Sequence, residues 1–352
     1  MSMLWDELYI AGVGAFLPPP VSTDVAVAAG HITDRHSREL GYTSVLVSDG
    51  PAPAEMAVAA GRAAVAQSGL APAEFGQVLH STTWFQGRMM WPTATYVANE
   101  TLGTAVPGVE LQQRCNGGMA SLELGAAFLA GRTRGSAVLL TTGDRFSEPA
   151  INRWNSHSRT FFGDGGTAMV LARGGGFARV LSTVTLTDNL FEGAARGTAA
   201  FDECPPPPEE TINLAARHKE FIVGKNPVEI LPRIRTVLTS TWQTVLAECD
   251  AKMDDVRRVI EPASHSGASD DEFAASYGCP LAKSTWEFGR TTGHLGSGDQ
   301  FAGLDFLVRT KQVAEGDLVL LIGGGTGYTC TAALIEIQAV PDPVPAGPPA
   351  PN

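Results

Sequence analysis

An α/β fold with a mixed sheet is what this sequence predicts, and three observations predict it. Strand-like and helix-like segments alternate through the first half. Both halves end with apolar strands set around Gly-rich turns, which points to a structural duplication without a sequence repeat. The 352 residues, 44% of them hydrophobic, give ample length for one large core or two domains.

Leu8 to Leu17 reads as a strand, Ala54 to Ser68 as a small-residue helix, and Gln77 to Thr83 as a strand. Trp91 to Leu102 fits a helix with Pro92 in its first turn. A strand then leads to Cys115, a helix covers Ala120 to Ala130, and Ser136 to Thr142 is an apolar strand. Phe161 to Leu171 closes the half with a turn and a strand. The second half opens with strand-like Phe177 to Thr187 and passes Cys204 and Pro205 to Pro208, an irregular loop. Ile230 to Ala247 reads as a helix, Val256 to Ile260 as a strand, and Phe301 to Val313 as a helix. The run Leu318 to Ile322 leads into a Gly323–Gly327 loop. We expect an N-terminal half over 1–175, a C-terminal half over 176–338, and a Pro- and Ala-rich disordered tail over 339–352.

A formal charge of −12 argues against nucleic acid as a main partner, although an anionic cofactor needs only a local basic mouth. The five cysteines, Cys115, Cys204, Cys249, Cys279 and Cys330, show neither CxxC spacing nor a zinc signature. No metal is expected, and the usage fits a reducing cytoplasm. The N-terminus lacks the basic and apolar regions of a signal peptide. No apolar run approaches the roughly 20 residues of a membrane span.

Cys115 is the most informative residue. It sits in Val109-Glu110-Leu111-Gln112-Gln113-Arg114-Cys115-Asn116-Gly117-Gly118, where an extended pattern gives way to a helical one. A thiol at that switch lies at a helix N-terminus, where unpaired N–H groups and the dipole favour thiolate. Gly117 and Gly118 would leave room for a substrate to approach the sulfur. A buried structural cysteine is the competing reading.

Three segments, in order, carry a resemblance: Cys115 with Gly117-Gly118, Phe162-Gly163-Asp164-Gly165-Gly166-Thr167-Ala168 about 50 residues on, and Gly323-Gly324-Gly325-Thr326-Gly327. Together they resemble the ketosynthase-III-like enzymes of the thiolase superfamily. The resemblance implies a five-layered α/β/α/β/α thiolase fold of two pseudo-duplicated halves, usually a homodimer. It also makes Cys115 the nucleophile that takes an acyl group from a thioester. Chain-extending relatives pair that cysteine with a His in a Pro-His-Gln-Ala-Asn segment and an Asn in a Gly-Asn-Thr-Ser segment. Here Glu261-Pro262-Ala263-Ser264-His265 puts Ala263 after the proline, and Gly293-His294-Leu295-Gly296-Ser297-Gly298-Asp299 puts His294 in place of the Asn. The pair that stabilises the enolate is broken, and decarboxylative condensation loses its electrostatic support.

Cys115, His294 and Asp299 then have the composition of a nucleophile, a base and an orienting carboxylate. The backbone N–H groups of Cys115 and Gly325 would form the oxyanion hole. Asp299 can equally be read as an N-cap of the helix that follows it, and His294 as a packed core residue. His265 is the competing base, while His157 and His218 lie in polar stretches and are expected at the surface. A Cys/His/Asp variant resembles the ketosynthase-like acyltransferases and starter-unit enzymes of actinomycete aromatic polyketide pathways, the cervimycin-type enzymes that esterify a sugar hydroxyl with malonyl among them.

That resemblance implies malonyl-coenzyme A or an acyl carrier protein as donor, no permanently bound cofactor, and a glycosylated polyketide as acceptor. The coenzyme A segment Trp-Ile-x-x-Arg-Thr-Gly of many relatives is missing, and Thr33 to Gly41, with Arg35 and Arg38, reads as a solvated charged loop. Arg153 and Arg159 are alternatives at a tunnel mouth. Arg114 or Arg290 would hold a malonyl carboxylate, although Arg114 as a strand neighbour of Cys115 would point away from it. Trp84 to Trp91 is aromatic and Met-rich, which suits core or interface packing, or a pocket wall built around Trp84. Ester-forming acyl transfer is the first expectation and starter-unit condensation the second. A non-catalytic acyl or carrier-protein binder is the third, disfavoured by an intact Cys115.

Overall fold

The computed structural model describes residues 2–131, 135–203, 211–264 and 269–348. Twelve strands are found among them. The first six are β1 (Ser2–Leu4), β2 (Leu8–Phe16), β3 (Pro20–Ser22), β4 (Ser44–Leu46), β5 (Phe75–Ser81) and β6 (Gly108–Leu111). The others are β7 (Ala137–Asp144), β8 (Gly165–Arg173), β9 (Ala178–Thr187), β10 (Val256–Ile260), β11 (Leu318–Gly325) and β12 (Thr329–Ile337). Ten form one mixed sheet in the order β10-β11-β12-β9-β2-β8-β7-β5-β6, with β1 added beside β9.

The order contains a repeat. β5 runs parallel to β7, and β7 and β8, then β8 and β2, pair antiparallel. β10, β11, β12 and β9 reproduce that series: one parallel pair followed by two antiparallel ones. The two series meet at β2 and β9 through only two residue pairs, Tyr9 with Arg179 and Ile10 with Ala178. β7 is buried along its whole length, as expected of a strand covered on both faces, and its first four residues, Ala137 to Leu140, are all apolar.

Helices Gly117–Ala130 and Asp299–Arg309 form the middle layer. Met119, Leu122 and Leu129 of the first and Phe301, Leu304 and Leu307 of the second share one core with residues of β7, β8, β11 and β12. Pro53–Ser68 and Thr93–Leu102 cover the outer face of the β5–β8 series. Pro227–Glu248 and Asp270–Tyr277 cover that of the β10–β12 series. The result is the five-layered α/β/α/β/α arrangement that the resemblance implies. Among the described residues, no helix is long and apolar enough to cross a membrane.

Several details differ from the sequence reading. Gly323 to Gly325 belong to β11, so the turn is confined to Thr326–Tyr328. The last helix starts at Asp299 and ends at Arg309, before Val313. Asp34–Leu40 is a helix, capped by Thr33 and ended by Gly41 in the left-handed region (φ 74°). Its charges are nonetheless solvated, as two exposed pairs, Arg35–Glu39 and Arg38–Asp34. Leu214–Ile222 forms a helix that the sequence pattern did not announce. Cys204 and Pro205 to Pro208 lie outside the described residues. The other four cysteines are free. Residues 339–348 carry no regular structure, with Val340 packed on the core.

Candidate active site

β6 ends at Leu111, and the chain turns through a short helical segment, Arg114–Asn116, before the Gly117–Ala130 helix begins. Arg114 takes φ 51°, in the left-handed region, and this twist delivers Cys115 to the surface of a cavity. Two close approaches hold the turn in place. A Cβ on Gly118 would lie 2.4 Å from the Ser297 carbonyl oxygen. One on Gly325 would lie 2.7 Å from the Gln113 carbonyl oxygen and 2.9 Å from the Asn116 nitrogen. Gly117 and Gly118 therefore make room for Ser297 rather than for a substrate, which corrects the sequence expectation. Ser297 Oγ donates to the Arg114 carbonyl (2.9 Å), tying the turn to the loop that carries His294.

That loop follows the short helix Trp286–Thr292 and is pinned to the Gly-Asp-Gly turn. The His294 N–H donates to the Phe161 carbonyl, and the Gly163 N–H donates to the His294 carbonyl, each at 2.9 Å. His294 Nδ1 lies 2.5 Å from Asp299 Oδ2. Asp299 also accepts the backbone N–H groups of Ala263 (on Oδ2) and Leu295 (on Oδ1), both at 2.8 Å. It is the first residue of its helix, with Gly298 at the capping position and no side-chain cap. The N-cap reading of Asp299 is thus set aside, since its oxygens face the imidazole loop.

With Nδ1 committed to Asp299, Nε2 is the free nitrogen of His294, and the Cys115 side chain lies within its hydrogen-bonding reach. Burial disfavours the charged imidazole. The charges of Asp299 and Cys115, with their hydrogen bonds, outweigh it and raise the His294 pKa well above the usual histidine value.

Ala263 serves through its backbone. Its N–H meets Asp299 and its carbonyl accepts the Tyr42 hydroxyl at 2.7 Å. Asp144, fully buried at the end of β7, accepts the N–H groups of Thr83, Trp84 and Ser297. Burial pushes its pKa up to about 7 against those bonds.

Cys115 and His294 open on a chamber of about 500 Å³. Its walls are largely apolar: Trp84, Phe146, Phe162, Phe191, Ile212 and Ile234 contribute. Trp84 is therefore a pocket wall, whereas Met89 and Met90 of the same segment are exposed. Gly325 lines the chamber beside Cys115. Arg114 and Arg159 line it too. Arg114 is not on a strand, so it shares the cavity with its neighbour instead of pointing away. Arg114 donates to the Thr83 carbonyl (2.9 Å), and Arg159 pairs loosely with Glu272 at 3.5 Å.

Arg153 and Arg290 are elsewhere. Arg153 binds fully buried Asp164 through both terminal nitrogens, at 3.0 and 3.1 Å, and so stabilises the Gly-Asp-Gly turn instead of facing a ligand. Arg290 is exposed on its helix and does not line the chamber. Of the two histidines expected at the surface, His218 is exposed as expected, at the chamber's edge, whereas His157 is half-buried in the chamber wall. No local pattern in the polar stretch around His157 marks it, because the fold of the Gly-Asp-Gly turn carries it there. His265 lies outside the described residues, although Pro262 and Ser264 before it line the wall.

Residues 109–189 match the family model 3-oxoacyl-[acyl-carrier-protein] synthase III, and residues 246–337 match its C-terminal model. Acetoacetyl CoA synthase NphT7 of Streptomyces sp. (strain CL190) is 27% identical over 336 residues, 93% of this chain and 98% of that one. The 3-oxopimeloyl-[acyl-carrier-protein] synthase of Rhodothermus marinus (strain ATCC 43812 / DSM 4252 / R-10) is 26% identical over 332 residues, 93% of each chain. Among solved structures, the acyltransferase ChlB3 is 32% identical with a TM-score of 0.88, covering 97% of this chain and 100% of that one. The 3-oxoacyl-(acyl carrier protein) synthase III of Xanthomonas oryzae pv. oryzae agrees in fold: 18% identity and TM-score 0.72 over 95% and 100% of the chains.

Proposed function

This chain belongs to the ketosynthase-III-like family and has its thiolase-like fold; within that family, we propose that it is an acyltransferase that does not decarboxylate its donor. In this reading an acyl group, malonyl by preference, passes from a coenzyme A or carrier-protein thioester to Cys115. It then passes to a hydroxyl of a glycosylated polyketide. The carrying observation is Asp299 on Nδ1 of His294, which leaves Nε2 to the Cys115 side.

The chemistry follows from that order. The Cys115 thiolate attacks the thioester carbonyl, and the backbone N–H groups of Cys115 and Gly325 receive the oxyanion. Collapse expels the carrier thiolate, which takes the Nε2 proton of the His294 imidazolium. The acceptor hydroxyl then gives its proton to Nε2 as its oxygen attacks the acyl carbon, and Cys115 leaves as thiolate. Asp299 stabilises the imidazolium at both proton transfers. Decarboxylation would instead need two donors on the thioester oxygen. Ala263 offers a methyl group at one of those places, with its backbone already engaged by Asp299 and Tyr42.

Arg114, Arg159 and Arg217 are the chamber arginines available to a malonyl carboxylate. The similarity to ChlB3 supports transfer, and the similarity to the two synthases supports the second reading, decarboxylative starter-unit condensation. Exposed Phe85, Met89, Met90 and Val109, beside the edge strand β6, suit a homodimer contact.

Intact-protein mass after brief exposure to malonyl-coenzyme A, with Cys115→Ala as control, tests the proposal. A retained malonyl group on Cys115 is expected. An acetyl group appearing from malonyl would hand the assignment to condensation. No adduct from any coenzyme A or carrier thioester would overturn both.

A further inference from the structure

His157 has no part in the chemistry above, yet it faces the same chamber. Its Nδ1 accepts the backbone N–H of Arg159 at 3.2 Å. A backbone amide can only donate, so Nδ1 carries no proton and the proton of the neutral ring sits on Nε2. Burial first, then the positive neighbours His294, His218 and Arg159, lower its pKa to about 4, so the ring stays neutral near pH 7. Among the described residues Nε2–H finds no protein acceptor. His157 is half-buried and Nε2 is not among the buried unpaired atoms, so solvent in the chamber reaches it until a ligand acceptor takes its place.

Its position relative to His294 is defined by one ring. The edge of His157 meets Phe162 at 6.3 Å between centroids, and Phe162 in turn lies 5.9 Å from His294. Phe146 stacks on Phe162 at 4.5 Å, which widens the aromatic surface between the two imidazoles. The charged groups around this surface are of one sign. No Asp or Glu lines the chamber among the described residues, although acids outnumber Lys and Arg by 37 to 25 in the chain. Such a lining suits a ligand whose polar atoms are hydrogen-bond acceptors on an apolar body.

We propose that His157 is a specificity-determining residue, which donates from Nε2 to a second oxygen of the acceptor while the attacked hydroxyl sits at His294. The acceptor class is an apolar, planar body with two separated oxygens, lying against Phe162. The inference rests on reading the chamber as the acceptor site of the proposed acyltransferase, but not on the identity of the acyl group.

Two small probes isolate the second oxygen: 2-naphthol, which has one, and 2,7-dihydroxynaphthalene, which has two. Their affinities are measured by titration calorimetry on wild type, His157→Phe and His157→Gln. In wild type the second hydroxyl tightens binding about tenfold, the usual worth of one well-placed buried hydrogen bond. In His157→Phe, which keeps a ring and loses the donor, the two probes bind equally. In His157→Gln, which keeps an N–H, most of the difference returns. His157→Met carries the same expectation as the Phe variant should that one fail to fold. An undiminished difference in the Phe or Met variant overturns the proposal, as does absence of binding by either probe to wild type. No acylation is read in these titrations, so their failure is separable from a missing adduct on Cys115.

Discussion

Replacing Asp299 with Asn keeps the shape of the side chain and removes its charge. Asp299 receives three N–H groups: His294 Nδ1–H at 2.5 Å and the amides of Ala263 and Leu295 at 2.8 Å. An Asn oxygen at the Oδ2 place keeps the first two, and its NH₂ then meets the Leu295 N–H, donor against donor. The reverse rotamer loses two bonds for one, so the first arrangement prevails at a stability cost of about 1–3 kcal/mol for the stranded amide. Catalysis suffers more. Two unit charges about 4 Å apart at an effective dielectric of about 20 attract by about 4 kcal/mol, and losing that support for the imidazolium slows acylation about 10³-fold. Rapid-quench mass spectrometry of Cys115 acylation by malonyl-coenzyme A reads the rate, and the ring resonances of His294 read its titration. The resonances should show deprotonation at lower pH than in wild type, because the main charge that raises the pKa is gone. Acylation within threefold of wild type in a folded Asp299→Asn protein would refute the orienting role.

Two further perturbations separate structure from chemistry. Arg153→Ala leaves Asp164 buried with only the Ser48 and Phe146 amides. It should cost about 3–5 kcal/mol in urea unfolding without raising the thioester KM of the folded fraction; a raised KM at full stability would return Arg153 to ligand binding. Glu261 is buried, one of its oxygens has no partner, and burial, aided by the charge of Asp299, lifts its pKa to about 8. The unfolded glutamate releases its proton near pH 4.5 and the folded one near 8, so the native state holds an extra proton between them and stability falls as pH rises through that window. Glu261→Gln removes this loss, and the wild type should fall behind it between pH 4.5 and 8 by up to about 5 kcal/mol, at 1.36 kcal/mol per pH unit. Parallel stability curves for the two proteins across that range would show that Glu261 is ionised in the fold.

The fold was legible because its signals are local. β7 and β11 are apolar runs that only a two-sided burial explains, and the Pro53–Ser68 helix is a run of small residues that packs closely on the sheet. The polar, charged residues of the helix Asp34–Leu40 show little apolar periodicity, and its caps, Thr33 and Gly41, are the signals that announce it. The glycines beside Cys115 were legible as close-approach positions. What approaches them was not, since Ser297 is far along the chain.

By itself the sequence determined which residue types were on offer: a thiol at a helix start, an imidazole among glycines, a carboxylate five residues later, and an alanine where relatives carry histidine. Those follow from order along the chain. Only the tertiary structure decided what each one faces. It turned Arg153 onto Asp164 and left Arg290 in solvent. It also brought His157 into the chamber wall and set Nδ1 of His294 on Asp299. The physical reason is that a side chain's partners are set by the β-pairings and close glycine contacts that join distant segments, and no local propensity encodes those.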